Sequence, residues 1–130
     1  MPKKQANQSL DEQLPTGTLA LSVRQPWAEL ILRGDKKSEQ RGQPTNIRGR
    51  IYIYAGLKHY DRDEEADWAD EFNLDIDGLP RGVIVGSVEL ADCRRGDAGE
   101  GFDWVLKNPI RAKDLIKPTR RPNPVWFRPW

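Results

Sequence analysis

Lys36, Glu39 and Arg41 stand together in GDKKSEQR, residues 34–41. A lysine in such company has two chemical uses. As a point charge it holds a phosphate; desolvated, its pKa falls and it serves as a base. The plain alternative is a solvated lysine paired with a neighbour. Glu39 and Arg41 are two apart on a strand-like stretch, hence on one face. They form either a polar constellation, with Glu39 accepting from a base amino group or orienting Lys36, or a surface ion pair of little value. Glu89 follows the apolar run VIVGSV, 83–88. A carboxylate at the end of a buried strand needs a partner or a proton, and Lys36 and Arg41 are the candidates. For an enzyme, the candidate catalytic general base or acid is Lys36 or Glu89, with Glu39 and Tyr54 as further candidates.

A second group suits binding. Ser22, Arg24, Gln25 and Trp27 frame a strand-to-helix turn. The N–H groups at a helix start favour an anion. Gln25 offers donors and an acceptor to a base edge. Trp27 can stack on a base, as single-strand binders do, or pack in the core. Arg24 grips phosphate or carboxylate, or is a plain surface charge. Tyr54 and Lys58 lie on and after RIYIY, and Gly56 lets a ligand approach the backbone. The expected ligand-binding set is Ser22, Arg24, Gln25, Trp27, Glu39, Arg41, Tyr54 and Lys58.

These residues need elements to position them. LALSV (19–23) alternates as a strand, with Leu19, Leu21 and Val23 on one face. Pro26 suits a first helical position. Trp27, Leu30 and Ile31 share a helix face, and Gly34 predicts a left-handed cap. Short strands are expected at 37–41, 50–54, 102–107 and 125–127. VIVGSVEL (83–90) reads as the central strand. DRDEEADWADEF (61–72) predicts a helix with Trp68 and Phe72 as its buried edge. Residues 1–17 read as a disordered tail, leaving 18–130 as one domain. The elements do not alternate as β-α-β-α. The expected fold is therefore α+β: a small, partly closed β-barrel of five to six strands with two or three short helices.

Composition narrows the function classes. One cysteine and one histidine exclude an intrachain disulfide and a Cys/His zinc site. No metal site or cofactor is expected from spacing. No apolar run approaches a membrane span, and no secretory signal is visible at the start, so a cytoplasmic location is expected. The net charge of +1 hides a dipole. Residues 61–77 carry nine Asp/Glu against one Arg; residues 107–128 carry seven Lys/Arg against one Asp. The first stretch repels nucleic acid. The second, ending in Trp126 and Phe127, suits a single strand or is a proline-stiffened solvated loop.

The order of motifs resembles the ASCH domain family, relatives of PUA domains. LSVRQPWAELIL (21–32) looks like its opening strand and QPW-type helix start. Gly34, Lys36, Glu39 and Arg41 look like its G-x-K-x-x-E-x-R segment. IYIYAGLK (51–58), LPRGVIVGSVEL (79–90) and FDWVLKNP (102–109) resemble its later strands. The resemblance implies a PUA-like barrel, a cleft beside the short helix, and RNA or a modified nucleoside or nucleotide as partner. One branch is similar to nucleoside amidohydrolases and another to ribonucleases. The amidohydrolase set implied by the resemblance is a lysine, a threonine three residues on and a glutamate. Lys36 and Glu89 match it, whereas Glu39 stands at the threonine position. A carboxylate does not replace a hydroxyl nucleophile in acyl transfer. The expected function is thus RNA or nucleotide binding; the alternative is metal-independent hydrolysis of RNA or an acylated nucleoside.

Overall fold

The computed structural model describes residues 14–97 and 99–130. Six strands form one sheet: β1 Ala20–Val23, β2 Ser38–Arg41, β3 Gly49–Ala55, β4 Val83–Arg95, β5 Phe102–Ile116 and β6 Trp126–Phe127. Their order is β2-β5-β4-β3-β1-β6. Only the β1–β3 pair is parallel. Among the described residues two helices, α1 Trp27–Arg33 and α2 Arg62–Phe72, and a 3-10 turn at Ile76–Gly78 accompany the sheet. The α+β, PUA-like half-barrel expected from the sequence is the architecture observed.

The sheet curls around a core built by strand alternation. Leu21, Val23, Ile51, Ile53, Val88 and Leu90 point inward. Ala28, Ile31 and Leu32 of α1 plug the same core. Seven residues make a helix too short to hold alone, so this packing maintains it. Gly34 ends α1 at φ +84, the left-handed cap its sequence predicts. The amides of Asp35 and Lys36 then both donate to the Leu30 carbonyl, at 3.0 Å each. On the outer face, Tyr52, Tyr54, Ile84 and Phe127 form a second cluster.

Side chains, rather than a backbone ladder, close the curl. Trp104 of β5 stacks on Trp126 of β6, with ring centroids 5.7 Å apart and planes 8° from parallel. Arg41 of β2 donates from Nη2 to the Ser22 carbonyl of β1 at 2.9 Å. Helix α2 lies against Trp27, which meets Trp68 and Phe72 edge-on at 4.9 and 5.9 Å. The start of α2 is fastened by Asp61, whose side chain accepts from the Asp63 amide.

Two expectations change. Residues 108–116 are strand, not a basic loop: β5 runs for 15 residues. Pro109 fits because the register shifts there, Glu89 facing Lys107 but Ser87 facing Ile110. Asn108 takes φ +52 within this irregularity. A bulge needs no ladder N–H from its extra residue, so proline is tolerated. Of the expected tail, residues 1–13 lie outside the described residues. Leu14 packs beside the outer cluster, and the Thr18 amide and hydroxyl both donate to the Pro15 carbonyl, at 3.2 and 2.6 Å.

Candidate functional site

A cavity of about 750 Å³ opens between β1, β2, the loop Gly56–Tyr60 and the segment Pro122–Val125. Seven of the eight expected ligand-binding residues line it: Ser22, Arg24, Trp27, Glu39, Arg41, Tyr54 and Lys58. The eighth, Gln25, does not. It is 1% exposed. Its Nε2 donates to the Pro80 carbonyl at 2.9 Å and its Oε1 accepts from the Glu29 amide at 3.0 Å. Gln25 thus fastens α1 to the Pro80 turn, and the base-reading role expected of it is corrected.

Ser22 is the junction of the cavity wall. Its carbonyl accepts from Arg41. Its amide donates to the Val125 carbonyl at 3.0 Å, and its hydroxyl to the Asn123 carbonyl at 2.8 Å. Val125 reaches this position at φ +66. A β-branched residue seldom adopts that conformation, which costs on the order of 1–3 kcal/mol and persists only when its surroundings over-determine it.

Arg41 and Glu39 form one unit. Glu39 is 8% exposed, and its Oε2 accepts from Arg41 Nε at 2.8 Å. The guanidinium also lies 5.6 Å from the centre of the Trp104 ring. Arg41 therefore spends its charge on the protein. Arg24 is different: its guanidinium rests over Tyr60, 4.8 Å from the ring centre. Lys58 is exposed. Among the described residues neither Arg24 nor Lys58 has an ion-pair partner. Burial pushes the Tyr54 hydroxyl pKa up, so it stays neutral and able to donate near pH 7.

Lys36 lies behind this wall rather than in the cavity lining. Its Nζ donates to Gln40 Oε1 at 2.7 Å, sits 3.9 Å from Glu39 Oε1 and lies 5.5 Å from the Trp27 ring centre. Burial lowers its pKa; Glu39 and Asp103 oppose the shift, and Arg41 adds to it. Desolvation wins over the carboxylates. Glu89 is elsewhere. It faces Arg50 across β3–β4, and Arg50 alternates with the inward Ile51, so both point out of the opposite sheet face. Its carboxylate accepts from Asn108 Nδ2 at 2.9 Å. The expected pairing of Lys36 with Glu89 is corrected: the sheet stands between them, and the carboxylate near Lys36 is Glu39.

Sequence spacing suggests no metal site, yet the fold gathers His59, Glu65 and Asp77, with ligand-type atoms within 4.8 Å of one another. Local fastening accounts for the buried member. Glu65 accepts from the Tyr60 amide at 3.0 Å, and its other oxygen is 3.0 Å from His59 Nδ1. Burial works to raise the Glu65 pKa, but the His59 and Tyr60 hydrogen bonds and the charges of His59 and Arg81 hold it below the usual range. A cation at this point would meet the Arg81 charge.

Two parts of the cavity escape sequence reading, Tyr60 and Leu57; the Pro122–Val125 segment belongs to the basic stretch 107–128, but its place beside β1 does not show in the sequence. No local pattern marks them, because tertiary folding alone brings them to β1. Against known families, residues 21–116 match the ASCH domain. The chain belongs to the ASCH domain family. Two curated relatives are similar to it, both named activating signal cointegrator 1. The human protein is 37% identical over 84 residues, 59% of this chain and 14% of its own length. The mouse protein is 36% identical over 85% of this chain and 22% of its own length. The ASCH domain described here thus spans less than a quarter of the relatives it matches. Among its described residues no helix is long and apolar enough to cross a membrane.

Proposed function

We propose that this ASCH domain is a binding module for single-stranded RNA or a nucleotide, held in the cavity between β1, β2 and the loop Gly56–Tyr60. One observation carries the reading: Arg24 and Lys58, both without an ion-pair partner among the described residues, line the same cavity as Trp27, Tyr54 and Tyr60. Cations attract phosphate, and aromatic faces accept bases with little regard to sequence. The family supports the same reading, and similarity to activating signal cointegrator 1 is compatible with a nucleic-acid setting. The hydrolytic alternative loses Glu89, which faces away from Lys36; the carboxylate beside Lys36 is Glu39, at 3.9 Å.

Fluorescence-anisotropy titration of a single-stranded RNA octamer tests this at two salt concentrations. Binding is expected to weaken with salt, and about tenfold on Arg24→Gln, the loss of one charge-assisted hydrogen bond. Equal binding by the variant, or no binding of RNA or mononucleotides by the wild type, would sink the proposal.

A further inference from the structure

The charges lining the cavity are Arg24, Glu39, Arg41 and Lys58. Glu39 and Arg41 cancel across their 2.8 Å bond. The remainder is two positive charges, and both belong to one side. Lys58 is on the loop Gly56–Tyr60, and Arg24 is laid over Tyr60 of the same loop. A phosphodiester inside a strand carries one negative charge. A phosphomonoester carries about −1.5 to −2 at pH 7. The cavity's surplus matches the monoester.

The opposite side is fastened at Ser22. Three hydrogen bonds converge on Ser22, one from Arg41 of β2 and two to the Pro122–Val125 strap. They join β2, β1 and the strap along one wall of the cavity. The lip is apolar. Leu57 is 69% exposed and Val125 38% exposed, and both line the cavity. Apolar side chains at a rim offer nothing to a backbone running on past it, but they do cover a planar base.

We infer that the cavity takes the terminal unit of a nucleic acid, a nucleotide bearing a phosphomonoester, rather than an internal stretch of strand. The phosphate sits at Arg24 and Lys58. The base enters between Leu57 and Val125 toward Tyr54 and the Glu39–Arg41 pair. The same chemistry is presented by a phosphorylated strand end and by a free nucleoside monophosphate. This inference rests on the reading of the cavity as a nucleotide site.

The test compares RNA octamers of one sequence: 5′-phosphorylated, 3′-phosphorylated, hydroxyl-ended at both termini, and circularised. Adenosine, guanosine, cytidine and uridine 5′-monophosphates serve as competitors. One of the two phosphorylated octamers is expected to bind at least tenfold tighter than the hydroxyl-ended and circular forms. That preference is expected to vanish in Lys58→Gln, a substitution at an exposed side chain, and in Arg24→Gln. The salt slope should match a single phosphate contact, about −0.7 in log K against log salt. Displacement by a mononucleotide would identify the free nucleotide as the ligand; displacement only by the phosphorylated octamer would identify the strand end. Equal binding of circular and phosphorylated RNA, both weakened by Arg24→Gln, would overturn the end-unit inference and leave the nucleic-acid reading standing. No binding by any RNA or mononucleotide would overturn both.

Discussion

Arg41 reaches Glu39, the Ser22 carbonyl and the Trp104 ring with one guanidinium. Its planar fork allows this where a lysine's point charge would not. At this scale the difference between lining a site and building it becomes visible. Arg24 and Lys58 offer charge outward; Arg41 and Gln25 use theirs inward. Gln25 is the sharper case. Gln25→Ala leaves the Pro80 carbonyl and the Glu29 amide, both part-buried, without their partner, and each such hydrogen bond contributes about 0.5–1.5 kcal/mol. The expected outcome is a loss of roughly 1–3 kcal/mol in urea denaturation, with RNA affinity of the folded fraction unchanged. A clear loss of affinity without loss of stability would return Gln25 to the binding surface.

Among the elements, β4 carries the most constraint. Gly86 lies on it under α1. A Cβ there would overlap the Ile110 carbonyl oxygen and lie 2.6 Å from Leu32 Cδ2. Backbone on one side and a buried helix residue on the other leave little room to give. Gly86→Ala should therefore destabilise by about 1–3 kcal/mol, as overpacked cores do, read as a lower melting temperature. An unchanged melting temperature would mean that α1 shifts freely on the sheet. Elements such as LALSV, RIYIY and the Gly34 cap are legible because their signals are local: alternation, a proline, a glycine. The second half of β5 is not, because Lys107, Pro109 and Arg111 look like loop until β4 supplies a partner with a bulge in its register. The site divides along the same line. Residues 22–41 and Tyr54 fall on elements whose faces can be counted. Gln25 turns inward because which way a turn points depends on Pro80, and the strap's place at the cavity is hidden because Ser22 meets Asn123 across 101 positions.

The whole molecule is electrically lopsided. Nine carboxylates in residues 61–77 cover α2 and its exit, while the cavity keeps two spare cations. Such a distribution draws an anionic ligand to the cavity and discourages adsorption on the acidic helix beside it. Asp63→Lys together with Asp67→Lys, both exposed on α2, should raise weak, sequence-independent RNA binding several-fold at low salt and steepen its salt dependence. Affinity for the cavity ligand should change little. Unchanged nonspecific binding would show that the acidic face has no part in discrimination.

Finally, β6 pairs with β1, Ala20 beside Phe127 and Leu21 beside Trp126, so the outer edge of the first strand waits for nearly the last residues described. On the ribosome, β1 through β5 emerge before the strand that covers that edge exists. For those moments Ser22 lacks its strap, Trp104 lacks its stacking partner, and the edge N–H and C=O groups of β1 are open to solvent or to another nascent chain. A pairing of such long sequence separation is slow to find and is exposed to misassembly while it is sought. The cavity is thus the last part of the described fold to form, and translation that stalls before Val125 leaves a nearly complete sheet without it.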